Sequence, residues 1–185
     1  MIEHNQPITG KFRVLTFDPG VVLSKWSWKD RNRREVAEDD WEWNEKERLV
    51  LPKRFRPSDD TGWRGNLVVS TGKDIYQNQT FGITATAVDR TGVGDSAVAP
   101  APGQTGLQGG STFFQIFDAL PTLLAFVISA QSTVPGGSTA FQWNEAGCFA
   151  GPGNGPTNML NRIIGFGSPT PGGAAAIAAW SITQN

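Results

Sequence analysis

The chain has 185 residues, including seven Trp and eleven Phe, which is enough for one folded domain with an aromatic core. Its formal net charge is −1, so no overall basic field favours a nucleic acid or an anionic membrane as partner. A single cysteine excludes an intrachain disulfide framework. The polar N-terminus predicts no secretory signal, and no apolar run is long enough to span a bilayer. These features fit a protein made and assembled in a reducing cytoplasm.

The charged side chains are divided very unevenly along the chain. Thirty of the 33 lie in the first 95 residues, and beyond Asp95 there are only Asp118, Glu145 and Arg162. A free domain normally carries charge over its whole surface, since about a quarter of its residues are charged. We therefore expect the second half to bury its surface against other chains, as a subunit of a larger assembly would.

The first predicted elements are strands over 11–17 and 21–29, joined by a turn at Asp18-Pro19-Gly20. Two W-x-W pairs, Trp26/Trp28 and Trp41/Trp43, have the period of a strand face and suggest a hairpin whose tip is the charged stretch between them. A short helix within 31–48 is the alternative. Residues 49–62 are turn-rich and basic, and we interpret 24–62 as a charged, Trp-rich insertion or arm.

Further along, strands are predicted over 63–70 and 80–88, and an extended loop without periodicity over 89–110. Pro- and Gly-rich separators then divide five more strands: 112–118, 123–130, 139–149, 159–166 and 174–183. Residues 174–179 also suit a helix by composition, but Trp180 and Ile182 continue a strand-like alternation. Short strands at regular spacing predict an all-β protein, a single antiparallel β-sandwich domain over 1–185 that resembles a jelly roll.

Catalytic and metal-binding arrangements are weak throughout the sequence. His4, the one histidine, lies in the polar N-terminus, and Cys148 is interpreted as a small buried hydrophobe because no histidine is left in the second half. The adjacent pairs Asp39-Asp40 and Asp59-Asp60 would point to opposite faces of a strand and are poor chelators. We predict no catalytic residue, no metal site and no cofactor.

The aromatic side chains of the first half are candidate interface anchors, because Trp and Arg concentrate at the centres of interfaces. These candidates are Trp26, Trp28, Trp41, Trp43, Phe55 and Trp63. The basic residues beside them (Lys53, Arg54, Arg56, Arg64) are flanked by acids that cancel much of their field, so nucleic acid is not the expected partner. The same Trp residues could instead form a sugar-stacking platform, which leaves glycan binding open.

The last acid and the only base of residues 120–185 are Glu145 and Arg162. A lone charge in such an apolar region would be costly, whereas a bonded pair is tolerable. We predict a salt bridge between them that fixes the register of the last strands. Asp118 has no such counterpart in the sequence, so we expect solvent or a neighbouring chain to reach it at a strand end.

Several segments carry a resemblance in their order along the chain: 66–74, 83–88, 92–97, 143–149, 159–162 and 178–183. They resemble the "N-L-V-V-x-x-G" strand, short alternating strand, Gly/Thr/Ala/Pro/Asp-rich loop, "N-E-A-G-L-F", "M-x-x-R" and "W-T-I-T" segments of tailed-bacteriophage virion structural proteins of the tail-fibre-like, collar and decoration β-sandwich group. The resemblance implies a structure-building role, with other virion proteins and copies of itself as partners and no membrane partner. It also implies a place in the virion. The insertion at 24–62 departs from that pattern, and so does the lack of a coiled coil or a collagen-like repeat.

The predicted function is that of a non-enzymatic virion structural protein of the tail, neck or fibre-attachment region. The alternatives are a capsid decoration (cement) protein and a glycan-binding module for host attachment. An enzyme such as a glycan depolymerase is disfavoured, because it needs paired carboxylates in a groove and the second half offers only Asp118 and Glu145.

Overall fold

The computed structural model describes residues 8–18, 23, 41–44, 49–52, 56–80, 87–124, 127–151, 159–166 and 174–184. Within these ranges the chain forms twelve strands and one helix. The strands are β1 (Ile8–Thr16), β2 (Trp41–Asn44), β3 (Leu49–Pro52), β4 (Asp59–Asp60), β5 (Arg64–Val68), β6 (Val88–Gly94), β7 (Thr112–Ile116), β8 (Thr122–Leu124), β9 (Val127–Val134), β10 (Glu145–Ala150), β11 (Met159–Ile164) and β12 (Ala176–Gln184). The helix is α1 (Ser70–Thr80).

The main sheet is antiparallel and curls into a nearly closed barrel. Its strands follow the order β7-β6-β10-β11-β5-β1-β12-β9-β8, with β4 paired to β1, while β2 and β3 form a separate hairpin. The two ends of the order meet where Asp118 N donates to Gln131 O at 2.8 Å and Ser132 Oγ lies 3.4 Å from Gln115 O. The predicted all-β, antiparallel, sandwich-like class is confirmed.

Large aromatic side chains fill the barrel interior. Phe12 on β1 lies directly opposite Trp180 on β12, with ring centroids 4.2 Å apart, and the ring of Phe166 meets Phe12 edge-on at 5.0 Å. Trp180 Nε1 donates to Thr91 Oγ1 at 2.9 Å, so the buried indole keeps its hydrogen bond. Thr91 is in turn 2.9 Å from Ser132 Oγ, which links β6 to β9 across the core.

The β2–β3 hairpin covers the outer face of β12 and of the last residues of β1, so this face is also buried there. A second apolar cluster forms there from Leu15, Phe17, Leu23, Leu49, Ala175, Ile177 and Ala179. The Gln131 side chain holds the hairpin in place, since its Nε2 donates to Val50 O and its Oε1 accepts from Val50 N, both at 3.1 Å. Strand β12 is therefore packed on both faces, which explains its run of small Ala side chains.

Six observed strands lie within predicted strands or overlap them: β1, β5, β7, β10, β11 and β12. Residues 176–184 form β12, so the helical alternative for 174–179 is wrong. The predicted strand 123–130 is divided between β8 and β9, and residues 139–144 are irregular. The predicted strand 21–29 lies outside the described residues except for Leu23, and so does most of 80–88.

Two expectations for the first half of the chain need correction. β2 pairs with Leu49–Pro52, so 49–62 is not a continuous turn-rich segment. The loop predicted over 89–110 begins only at Asp95, because 88–94 form β6. Glycine suits position 92 of that strand, because a Cβ there would come within 2.7 Å of ring atoms of both Phe114 and Phe149.

Helix α1 is a further correction, because the sequence suggested a strand up to Ser70 and no helix after it. The helix contains few apolar residues and packs its first turn tightly against β11. Gly72 makes that approach possible, since a Cβ there would collide with the carbonyl oxygen of Leu160.

Gly72→Ala should therefore destabilise the fold by about 2 kcal/mol, as overpacking does, although alanine is the better helix former by about 1 kcal/mol. Gly65→Ala is the matched control, because nothing lies within 4 Å of a Cβ at Gly65. Urea denaturation of both variants measures the difference. Equal stability of Gly72→Ala and Gly65→Ala would contradict the packing of α1 on β11.

Candidate assembly surface

A fully buried ion pair joins strands β10 and β11. Arg162 Nε donates to Glu145 Oε2 at 2.7 Å, and Nη2 lies 2.7 Å from the same oxygen without hydrogen-bond geometry. Both side chains have 0% exposure. Glu145 lies opposite Ile164 and Arg162 opposite Gly147, so the two charges are diagonal neighbours on the outer face of the barrel. The predicted salt bridge is present, and a shift in register would separate it.

The ion pair is covered by the long loop 95–111, which supplies its remaining hydrogen bonds. The backbone N–H of Gln108 lies 3.0 Å from both carboxylate oxygens of Glu145, and the N–H of Gly109 donates to Oε1 at 2.7 Å. Arg162 Nη1 donates to Val98 O at 2.8 Å and to Gln104 Oε1 at 2.9 Å. Such bonds are what make a buried pair tolerable.

The ends and the middle of loop 95–111 are fixed by further contacts. At its base, Ser111 N donates to Asp95 Oδ1 at 3.2 Å, and the hydrogen bonds from Ser111 lower the pKa of Asp95. In its middle, Leu107 is buried with Val69, Phe149 and Met159 in a third apolar cluster. Sequence reasoning missed this role of Leu107, although a lone aliphatic residue among Gly, Pro and Gln was the available signal.

Asp118 is not left for solvent or a neighbouring chain, as the sequence suggested. It is 4% exposed, and its carboxylate accepts from Thr133 N at 2.9 Å and from Thr133 Oγ1 at 2.7 Å. The correction follows from the closure of the barrel, which brings β9 against the end of β7. All three charged side chains beyond Asp95 are therefore inside the molecule.

The barrel consequently has a charged side and a side without charge. Charged side chains are exposed on the middle strands of the sheet order and beside them: Lys11, Asp59, Asp60, Arg64, Lys73 and Asp74. The seam where β7 meets β9 and residues 96–111 of the loop expose no charged side chain, because residues 96–185 contain only the three buried ones. Asp95 at the base of the loop and the partly exposed Asp89–Arg90 pair on β6 border this region. We call the seam and residues 96–111 the charge-free surface.

The charge-free surface carries the large apolar side chains that are most exposed among the described residues. Leu120 is 82% exposed, Val98 56% and Ile116 44%. Depletion of charge combined with exposed apolar groups is the composition found at the centre of protein interfaces.

The predicted aromatic anchors of the first half are only partly described. Trp26, Trp28 and Phe55 lie outside the described residues, whereas Trp41 and Trp43 lie on β2, where only their backbone pairing with Pro52 and Val50 is described. Trp63 is half-buried against the cluster under the β2–β3 hairpin. The Arg13 guanidinium lies 5.9 Å from its ring centroid and forms an ion pair with Asp60 at 2.6 Å. Trp63 thus packs on this cluster and beside the Arg13–Asp60 pair.

Other chemistry is sparse in the part of the chain that the structure describes. Cys148 is buried as predicted, and burial raises the pKa of its thiol well above the ordinary value. No three His, Cys, Asp or Glu side chains within the described ranges form a group that could hold a metal ion. No described helix is long and apolar enough to cross a membrane.

No family model, curated protein or solved structure matches this chain.

Removing the charge of Glu145 should be much more damaging than removing an exposed acid. Glu145→Gln leaves Arg162 as a buried charge without a counter-ion, which we expect to cost about 3 kcal/mol of the free energy of unfolding. The matched control is Asp60→Asn, which breaks the more exposed pair with Arg13 and should cost about 0–1 kcal/mol. Chemical denaturation checks both values, and similar losses in the two variants would contradict the structural role of the buried pair.

Proposed function

We propose that this chain is a non-enzymatic structural protein of a tailed-phage virion, a component of the tail, neck or fibre-attachment region that acts through interfaces between subunits. The observation that carries the proposal is the charge-free surface. Residues 96–185 contribute exposed Leu120, Val98 and Ile116 but no exposed charged side chain. A surface of this composition suits burial against another protein better than lasting contact with water.

The position of the virion-like segments in the fold also supports this proposal. Residues 66–68, 92–94, 145–149 and 159–162 fall on β5, β6, β10 and β11, which are consecutive in the order β6-β10-β11-β5. Segments far apart in the sequence thus meet around the ion pair of Glu145 and Arg162 and under loop 95–111. The shared pattern is then that of a structural unit whose purpose is to hold this loop rigidly.

The two sides of the barrel suggest how a subunit would be used. The charge-free surface meets copies of the chain or other virion proteins and buries apolar area. The charged side, with Lys11, Asp59 and Arg64, stays in solvent or meets partners by complementary charge. Assembly by this route requires an ordered surface and no catalytic group.

Capsid decoration is the nearest alternative, and copy number separates it from the tail or neck. Quantitative mass spectrometry of gradient-purified particles should find the chain at roughly ten copies per particle for a ring in the neck or tail, since closed cyclic assemblies use few subunits. Hundreds of copies would assign it to the capsid surface. Absence of the chain from particles would contradict a virion role altogether.

A surface variant tests the assembly interface directly. Leu120→Glu places a charge on the charge-free surface and should raise the apparent dissociation constant for self-association or particle incorporation about ten-fold or more, the effect of a central interface residue. Lys73→Glu, on the exposed side of α1, is the control and should leave association unchanged. Light scattering after size exclusion measures both. Two outcomes would reject this surface as the interface. One is that Leu120→Glu and Lys73→Glu change the dissociation constant equally, and the other is that the wild-type protein associates neither with itself nor with particles.

A further inference from the structure

The barrel interior contains an apolar cavity of about 210 Å³ at one end. Its lining comes from five strands and the segments next to them: Ala87, Val88, Phe117, Pro121, Ile128, Ala130, Cys148, Leu160, Trp180 and Ile182. Ala87 and Pro121 are exposed, so the cavity reaches the surface between them, while Trp180 and Cys148 lie at its buried end. Small barrels hold one small ligand in this position.

Two amides lie in the strand rows of the lining residues, although neither lines the cavity itself, and each has at least one buried polar atom without a hydrogen-bond partner. Asn66, Gly10, Ile182 and Ile128 form a row across β5, β1, β12 and β9, and residues opposite one another in such a row share a face of the sheet. Gly10 leaves a gap in the row that the Asn66 amide occupies, since a Cβ at Gly10 would collide with Asn66 Oδ1. Neither Oδ1 nor Nδ2 of Asn66 has a partner.

The second amide belongs to Asn161, which is 0% exposed. Its Oδ1 accepts from the backbone N–H of Cys148 at 2.9 Å, and its Nδ2 has no partner. Asn161 lies directly opposite Cys148, and Cys148 lines the cavity. Buried polar groups are normally hydrogen-bonded, so these open amide atoms are available to a polar group that reaches beyond the apolar lining.

We propose that this cavity binds a small neutral molecule that is mostly apolar and carries one hydrogen-bonding group of the alcohol or amide type. The apolar part packs among Ile128, Trp180 and Ile182, and the polar group meets the amide of Asn66 or Asn161. A cavity of about 150 Å³ holds benzene, so the larger volume here suits a substituted single ring. The lining supplies no cation, and a buried carboxylate would stay uncompensated.

The experiment uses the full chain and three probes of similar size: ethylbenzene, 2-phenylethanol and phenylacetate. Titration calorimetry should show binding of 2-phenylethanol and ethylbenzene, and phenylacetate should bind at least about ten-fold more weakly because of its charge. Contacts measured by NMR between the bound ring and the methyl groups of Ile128 and Ile182 locate the site. Absence of binding by all three probes, or contacts elsewhere on the surface, would overturn the proposal.

Two variants separate the cavity from its polar group. Ala130→Leu places a larger side chain in the cavity and should weaken the binding of both neutral probes about ten-fold or more, because little room for them remains. Ala140→Leu, at an exposed position, should change the binding of neither probe.

Asn66→Leu should keep ethylbenzene binding but reduce the preference for 2-phenylethanol over it by about five-fold, the worth of one hydrogen bond. Unchanged preference in Asn66→Leu and in the matching Asn161→Leu would reject the amides as the polar partner, and undiminished binding to folded Ala130→Leu would reject the cavity. These results are independent of whether the chain assembles into particles.

Discussion

The buried ion pair of Glu145 and Arg162 connects two strands of the barrel to the loop that lies over them. Both the carboxylate and the guanidinium are shielded from water. Taking two charges out of water costs several kcal/mol each, and a direct contact alone seldom recovers it. Here the backbone N–H groups of Gln108 and Gly109 complete the carboxylate, while a carbonyl and a side-chain amide of the loop complete the guanidinium. The loop needs the pair for its order, and the pair needs the loop for its hydrogen bonds.

This mutual dependence shapes the outside of the molecule. Because Glu145, Arg162 and Asp118 are all buried, residues 96–111 and the neighbouring seam present only uncharged groups, including Leu120. The charged side chains of β1, β4 and β5 lie in the middle of the sheet order, away from that seam. A rigid, uncharged surface on one side of a charged barrel is consistent with the proposed work of a virion subunit, which is to associate in one orientation.

Much of the barrel was predictable because alternating apolar residues specify strands, and the salt bridge was predictable because residues 120–185 contain one acid and one base for pairing. Other features depend on contacts that leave no local pattern. The loop is bound through backbone N–H groups, which nearly every residue type possesses, and α1 packs on β11 because Gly72 allows close approach to Leu160. Gly92 falls in the predicted loop 89–110 but lies in β6, where the rings of Phe114 and Phe149 leave no room for a Cβ. Asp118 found its partner in Thr133 only through closure of the barrel.

Hydrogen exchange at the amides of Gln108 and Gly109, followed by NMR, tests most directly whether the buried pair holds the loop. If it does, these two amides exchange only when the fold opens, at rates within about ten-fold of the Cys148 amide in the core of β10. The amide of Gly103, in the exposed part of the same loop, should exchange much faster. Exchange of Gln108 and Gly109 as fast as that of Gly103 would contradict the account, because it would mean that the loop opens independently of the barrel.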